Sequence, residues 1–316
     1  MTELTILEPS AIALADLQTA TDFAVEALSP KTRKCYRSDF KHFAAYCDAH
    51  GLGKMPAAPQ TVAAYISHRA GTVRPSTIGR IVAAIAYAHQ LKGVETPTSS
   101  MLVRTVVRGI RRTLGTAVQK KKAATADILT AMLDTIPTST RGLRDRAIIA
   151  LGFGGALRRS EIVALNVEDI EQTPDGLRVT IRRSKTDQEG QGAVIAIPTG
   201  KMNIAGHLLR WTEVSGITEG LLFVPVRRGG AVAIGQPLAP YIVAKIVKTA
   251  ANALGLDGTA FAGHSLRHGF VTSAAAQPNA NVLRICEVTR HKSIAVLQGY
   301  IQNARIFDDH CGEGFL

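Results

Sequence analysis

Two histidines and an arginine crowd the stretch GHSLRHGF (263–270), and a second cationic group sits upstream in GGALRRSEIVAL (154–165). Guanidinium groups hold oxyanions in a planar fork, imidazoles move protons near neutral pH, and a phenol becomes a nucleophile once something takes its proton. The chain offers all three. Arg158 and Glu161 lie three residues apart, so on a helix the carboxylate can orient the guanidinium. His264 and Arg267 share that spacing and would project from one helix face, whereas His268 points elsewhere and reads as structural. Lys185 stands in RRSKTDQEG (182–190), where a strand enters a loop. TRHKSIAVLQGYI (289–301) supplies His291 and, nine residues on, Tyr300. Taken singly these are ordinary: a surface ion pair, a solvated loop lysine, a tyrosine packed beside Leu297 and Ile301.

Joint chemistry needs a scaffold that brings distant residues together. The 316 residues suffice for two domains, each with its own core. Hydrophobic residues make up 46% of the chain but aromatics only 5%, which favours helical packing over a β-sandwich. SPKTRKCYRSDFKHFAAYCDAHGL (29–52) reads as a capped helix. Ser29 is the cap, Pro30 opens the first turn, Tyr36, Phe40, Phe43 and Cys47 form an apolar stripe, and Gly51 ends it. Further helices are expected at 59–70, 75–93 and 98–114, then at 125–136, 141–153, 200–213, 238–254, 265–277, 279–289 and 293–304. LRVTIRR (177–183) and AVIAIP (193–198) are β-rich and read as a hairpin around a long polar loop. The expectation is a mainly α protein with one small sheet.

The charge is unevenly spread. Thirty-seven Lys and Arg stand against 25 Asp and Glu, a net +12, yet residues 1–28 hold five acids and no Lys or Arg. The other 288 residues therefore carry +17, which points to a polyanionic partner. Between Gly71 and Lys122 stand Arg74, Arg80, Lys92, Arg104, Arg108, Arg111, Arg112, Lys120, Lys121 and Lys122, against the single acid Glu95. Arg104, Arg108 and Arg111 fall at i, i+4, i+7, so one helix face presents all three, and a phosphate backbone would relieve their repulsion. All of these except Lys92, together with Lys31 and Arg33, are the candidate DNA-contact residues. QKKKAATADI (119–128) reads as a basic linker before a capped helix. The expected division is an acidic extension at 1–28, a helical DNA-binding domain at 29–118 and a second domain at 119–316.

Cys35, Cys47, Cys286 and Cys311 are scattered, with no CxxC and no Cys/His cluster at zinc spacing, so they read as reduced thiols in a cytoplasmic protein. The longest apolar run, AIIALGFGGAL (147–157), is too short to span a bilayer, and no membrane partner is expected. A Walker-type GxxxxGKS/T is absent from the sequence.

The order and spacing of the chemical residues carry a resemblance. Arg–x–x–Glu in GGALRRSE, a hairpin lysine, His–x–Leu–Arg in GHSLRH, a further histidine and a late tyrosine together resemble the tyrosine recombinases, also called the lambda-integrase family. The resemblance covers most of the chain. It implies a tyrosine recombinase fold, with a helical, SAM-like core-binding domain followed by an α+β catalytic domain that holds a small antiparallel sheet. It departs from the pattern at Arg290, where the family usually has glycine.

That resemblance implies roles residue by residue. Arg158 and Arg267 would bind the non-bridging oxygens of the scissile phosphate, and Tyr300 would attack phosphorus to form a 3′-phosphotyrosyl link. Lys185 would protonate the departing 5′-oxygen, His264 would help accept the tyrosine proton, His291 would hydrogen-bond the phosphate, and Glu161 would support Arg158. The chemistry is consistent on its own terms. Charge gathering on equatorial phosphate oxygens is stabilised by fixed cationic donors, so no metal is called for, and covalent exchange keeps the bond energy, so no cofactor or nucleotide is needed. Implied partners are double-stranded DNA at a specific recombination site, a homotetramer on two such sites, and an accessory directionality protein. A topoisomerase IB-like DNA-relaxing enzyme and a recombinase-derived binding protein that no longer cuts remain the alternatives.

Overall fold

The computed structural model describes residues 11–117, 121–183, 192–291, 294 and 297–299. Contacts divide the chain into two units, Met1–Gln119 and Lys120–Leu316. The first is built of helices whose starts are written in the sequence. Helix α1 spans Ala11–Glu26 and α2 spans Pro30–Ala49. The Ser29 side chain accepts the Thr32 N–H at 3.2 Å and Pro30 sits in the first turn, as the cap pattern requires. Prolines also open α3 (Pro59–Ala70) and α4 (Pro75–Leu91). The last helix of the unit, α5, spans Met101–Leu114 behind a 3₁₀ turn at Pro97–Ser99. It starts later than expected because Ser100 caps it, accepting the Val103 N–H.

Phe43, Cys47, Tyr65, Ile66, Ile78, Ile85 and Val103 form the core of this unit. Helix α5 turns Val103, Val106, Val107 and Ile110 towards it, which leaves Arg104, Arg108, Arg111 and Arg112 exposed.

The second unit holds α6 (Ala126–Thr135), α7 (Thr140–Gly154) and the four-residue α8 (Arg159–Ile162) before its sheet. Strands β1 (Ile170–Thr173), β2 (Gly176–Ile181) and β3 (Ala193–Pro198) pair antiparallel in that order. The β2–β3 hairpin follows its alternating pattern, with Leu177, Val179, Ile181, Ile195 and Ile197 turned into the core. Strand β1 was not anticipated: IEQT is four residues long and shows no apolar alternation. Helices α9 (Ile204–Ser215), α10 (Pro240–Ala253), α11 (His264–Ala275) and α12 (Val282–Thr289) complete the described part. The helix expected at 293–304 falls largely outside it. None of the described helices is long and apolar enough to cross a membrane.

Two close approaches set α11 in place. A Cβ at Gly152 of α7 would lie 2.9 Å from Leu266 Cδ1 and 2.7 Å from Ile162 Cδ1, so glycine lets α7 pass both neighbours. On its other side, α11 is laced to the segment that leads into α6. The Lys122 N–H donates to the carbonyl of Ala260, in the turn before the helix, at 2.8 Å, and the Ala124 N–H to the Ser265 carbonyl at 3.0 Å. The Ala126 N–H reaches Ser273 Oγ at 2.9 Å, and His268 Nδ1 donates to the Lys121 carbonyl at 3.2 Å. His268 thus has the structural part expected of it. A Cβ on Gly269 would fall 1.7 Å from the Ala124 oxygen, a backbone atom with little room to move. Gly269→Ala is therefore expected to destabilise the second unit by about 2–3 kcal/mol. Unfolding followed by fluorescence of Trp211, the one tryptophan of the chain and fully buried in this unit, checks it. An unchanged midpoint would show that the 121–124 segment gives way freely.

Candidate active site

Arg267 is one turn into α11 and only 1% exposed. A guanidinium out of water needs acceptors. One comes from the end of α7: after Gly154 the backbone turns at Ala156, whose left-handed φ of 45° accompanies a carbonyl that accepts Arg267 Nη1 at 2.8 Å. His264 opens the same helix and is exposed at its first turn.

Glu161 is the second fixed point. Its side chain is 1% exposed, and both oxygens are engaged. Oε1 accepts Arg158 Nη1 at 2.6 Å, while Oε2 accepts the Arg158 backbone N–H at 2.9 Å and Arg290 Nη2 at 2.8 Å. The i, i+3 relation of Arg158 and Glu161 is thus real, although it sits at the start of a single-turn helix, with Arg158 at the cap. Arg159 is exposed and packs beside Gly263, so it is Arg158 that the carboxylate orients. Arg290 was not among the expected site residues. Its one sequence signal is an arginine next to His291, where the resembling family has glycine. The structure shows why glycine suits that place: Arg290 ends α12 with φ 54° and ψ 46°, in the left-handed region.

His291 follows directly, half-buried. Thr289 Oγ1, fully buried, lies 2.6 Å from the Ile285 carbonyl and 2.6 Å from His291 Nδ1. The threonine hydroxyl thus links the end of α12 to the imidazole. Arg267 Nη2 is 3.5 Å from the same Nδ1. Burial, reinforced by the charges of Arg267, Arg158, His264 and Arg290, pushes the His291 pKa down to about 4. Four residues from three stretches of the sequence thus act on one imidazole.

Of the expected catalytic residues, the structure brings together Arg158, Glu161, His264, Arg267 and His291; Lys185 and Tyr300 lie outside the described residues. The basic residues fall into two groups. Lys31, Arg74, Arg104, Arg108, Arg111 and Arg112 are exposed in the first unit, and Lys122 in the second. Others have partners within their own unit: Arg80 grips Asp39 at 2.7 and 3.1 Å, Arg33 pairs with Glu26, and Lys121 Nζ donates to the Thr259 carbonyl at 2.6 Å. Lys120 lies outside the described residues. Among those residues, no three His, Cys, Asp or Glu side chains converge as metal ligands.

A sequence model of the phage integrase family matches residues 122–305. The chain is 37% identical over 286 residues to an integrase/recombinase XerD homolog of Selenomonas ruminantium, across 88% of this chain and 83% of that protein. It is 25% identical over 298 residues to the Cre recombinase of Escherichia phage P1, across 88% and 85%. Its fold is similar to that of a lambda integrase in a dimer bound to a COC′ core site, with a TM-score of 0.60 at 19% identity over 90% of this chain and 93% of that one. The family match covers more than half of the chain, including every described residue of the Glu161 and Arg267 constellation. The chain belongs to the phage integrase family and is a tyrosine-type site-specific recombinase.

Proposed function

We propose that this recombinase cuts and rejoins duplex DNA through a 3′-phosphotyrosine intermediate, without metal or nucleotide. In this reading Tyr300 Oη attacks the scissile phosphorus and its proton passes towards His264. The bond from phosphorus to the 5′-oxygen breaks, and Lys185 gives that oxygen a proton. Arg158 and Arg267 hold the non-bridging oxygens, and rejoining runs the same steps in reverse with a new 5′-hydroxyl. The observation that carries the reading is the gathering of Arg158, Arg267 and His264 close enough to His291 for their charges to act on it, with Arg267 buried and Arg158 held by a buried carboxylate. Fixed cations of that kind are what a phosphoryl transition state requires.

Residues 29–118 would form the core-binding domain and 119–316 the catalytic domain, with residues 1–28 as an extension. The protein would work in the cytoplasm as a homotetramer on two recombination sites, with an accessory protein setting direction. Exposed arginines on α5 would meet the phosphate backbone.

Three measurements test this. A nicked suicide substrate carrying the recognition site should yield a denaturation-resistant DNA adduct with the wild-type protein and none with Tyr300→Phe. An adduct that survives the substitution would overturn the reading. Replacing Arg104 and Arg108 by alanine should weaken DNA binding and flatten its salt dependence, by about one unit of log–log slope per lost phosphate contact. An unchanged slope would show that these residues face solvent in the complex. The third concerns His291. Its pKa lies below the ordinary 6.5, so its ring should be neutral at pH 7 and take up a proton only near pH 4. The unfolded chain would bind that proton first, so this residue's contribution to stability is full above pH 6.5 and is lost as pH falls towards 4. Ring nitrogen shifts in an NMR titration report the midpoint, and bound DNA phosphate should raise it. A midpoint near 6.5 in the free protein would mean that the ring is neither buried nor flanked by those charges in solution.

A further inference from the structure

Arg290 occupies a place that its side chain makes expensive. Its backbone is left-handed at φ 54°, a conformation that disfavours any residue with a Cβ. Its side chain is 11% exposed. Among the described residues its Nε is buried without a hydrogen-bond partner, and burial pushes its pKa down. A glycine would remove all three penalties. What the arginine gains is one interaction across 129 residues of sequence, Nη2 to Glu161 Oε2 at 2.8 Å, steadied by Nη1 donating to the Val288 carbonyl at 3.2 Å.

We infer that Arg290 is a positioning residue for the phosphate site: by sharing Glu161 with Arg158 it leaves the site a net positive charge and fastens the turn that carries His291. The inference rests on the proposed strand-cleavage reading. Its physical content is simple. A lone Arg158–Glu161 pair is neutral overall, and a carboxylate with both oxygens turned to one guanidinium would hold that guanidinium back from a phosphate. Arg290 and the Arg158 backbone N–H occupy Oε2, so Arg158 has Oε1 as its side-chain anchor, and the trio carries one uncompensated positive charge. The same contact ties residues 158–161 to residues 289–291, which include Thr289 and His291. The Arg290 guanidinium is directed at Glu161 and Val288, so it acts through its neighbours.

The test compares wild type, Arg290→Gly, Arg290→Lys, Glu161→Gln and the double variant Arg290→Gly/Glu161→Gln on the nicked suicide substrate under single-turnover conditions. Arg290→Gly relieves the backbone while leaving Glu161 its contacts with Arg158, so the protein should stay folded while the adduct forms about 10–100-fold more slowly. Its DNA affinity should change less than about threefold, because uniform binding is not what is lost. Arg290→Lys should restore part of the rate by restoring charge. The double variant should be no slower than the slower single one, since both break one linkage. Wild-type cleavage by Arg290→Gly, or losses that multiply in the double variant, would overturn the inference. A wild-type protein that forms no adduct would instead sink the cleavage reading. The inference then stands or falls on the His291 titration, whose midpoint should rise in Arg290→Gly and stay low in Arg290→Lys. An unchanged midpoint in Arg290→Gly overturns it.

Discussion

Charge taken out of water has to be answered on the spot, and much of the second unit is arranged around that requirement. Arg267 and Glu161 are both almost wholly buried, one positive and one negative, and each draws partners from another part of the chain. The end of α7 bends through a left-handed alanine where its carbonyl meets Arg267. The end of α12 bends through a left-handed arginine, whose guanidinium meets Glu161. Neither bend is what its residue would choose alone. Stability and chemistry draw on the same contacts here, since an unanswered charge at this depth would destabilise the fold as well as empty the site.

The first unit treats its cations in two ways. Arg80 is gripped by Asp39, a carboxylate only 10% exposed, and serves the packing of α4 on α2. The α5 arginines have their stems on a helix whose apolar face is committed to the core, so their heads are directed outwards. Among the described residues the second kind has no carboxylate to share its charge with, so it is the more open to salt and to an outside polyanion.

Much of this was legible in the sequence because it is local. Ser29 and Pro30 announce α2, the alternation in LRVTIRR and AVIAIP announces the hairpin, and the three-residue spacing of Arg158 and Glu161 announces their pairing. What escaped the sequence is set by tertiary packing. Helix α8 is a single turn that starts only after Arg158, and β1 forms because β2 is there to pair with it. Most tellingly, Arg290 stood out only as a break in a familiar pattern, because its partner is 129 residues away. The contact of His291 with Thr289 was hidden in the same way, since only the end of α12 brings the two side chains together.

The lacing of α11 to the segment at 121–126 has a mechanical side. With hydrogen bonds along its length and no space for a side chain at Gly269, the helix can neither slide nor roll without breaking several contacts together. It behaves as a stator: His264 and Arg267 keep one geometry relative to the unit's core. The other wall of the site shares that anchorage, since Ile285 of α12 packs with Val271 and Ala275 of α11, and Cys286 Sγ holds the His291 carbonyl.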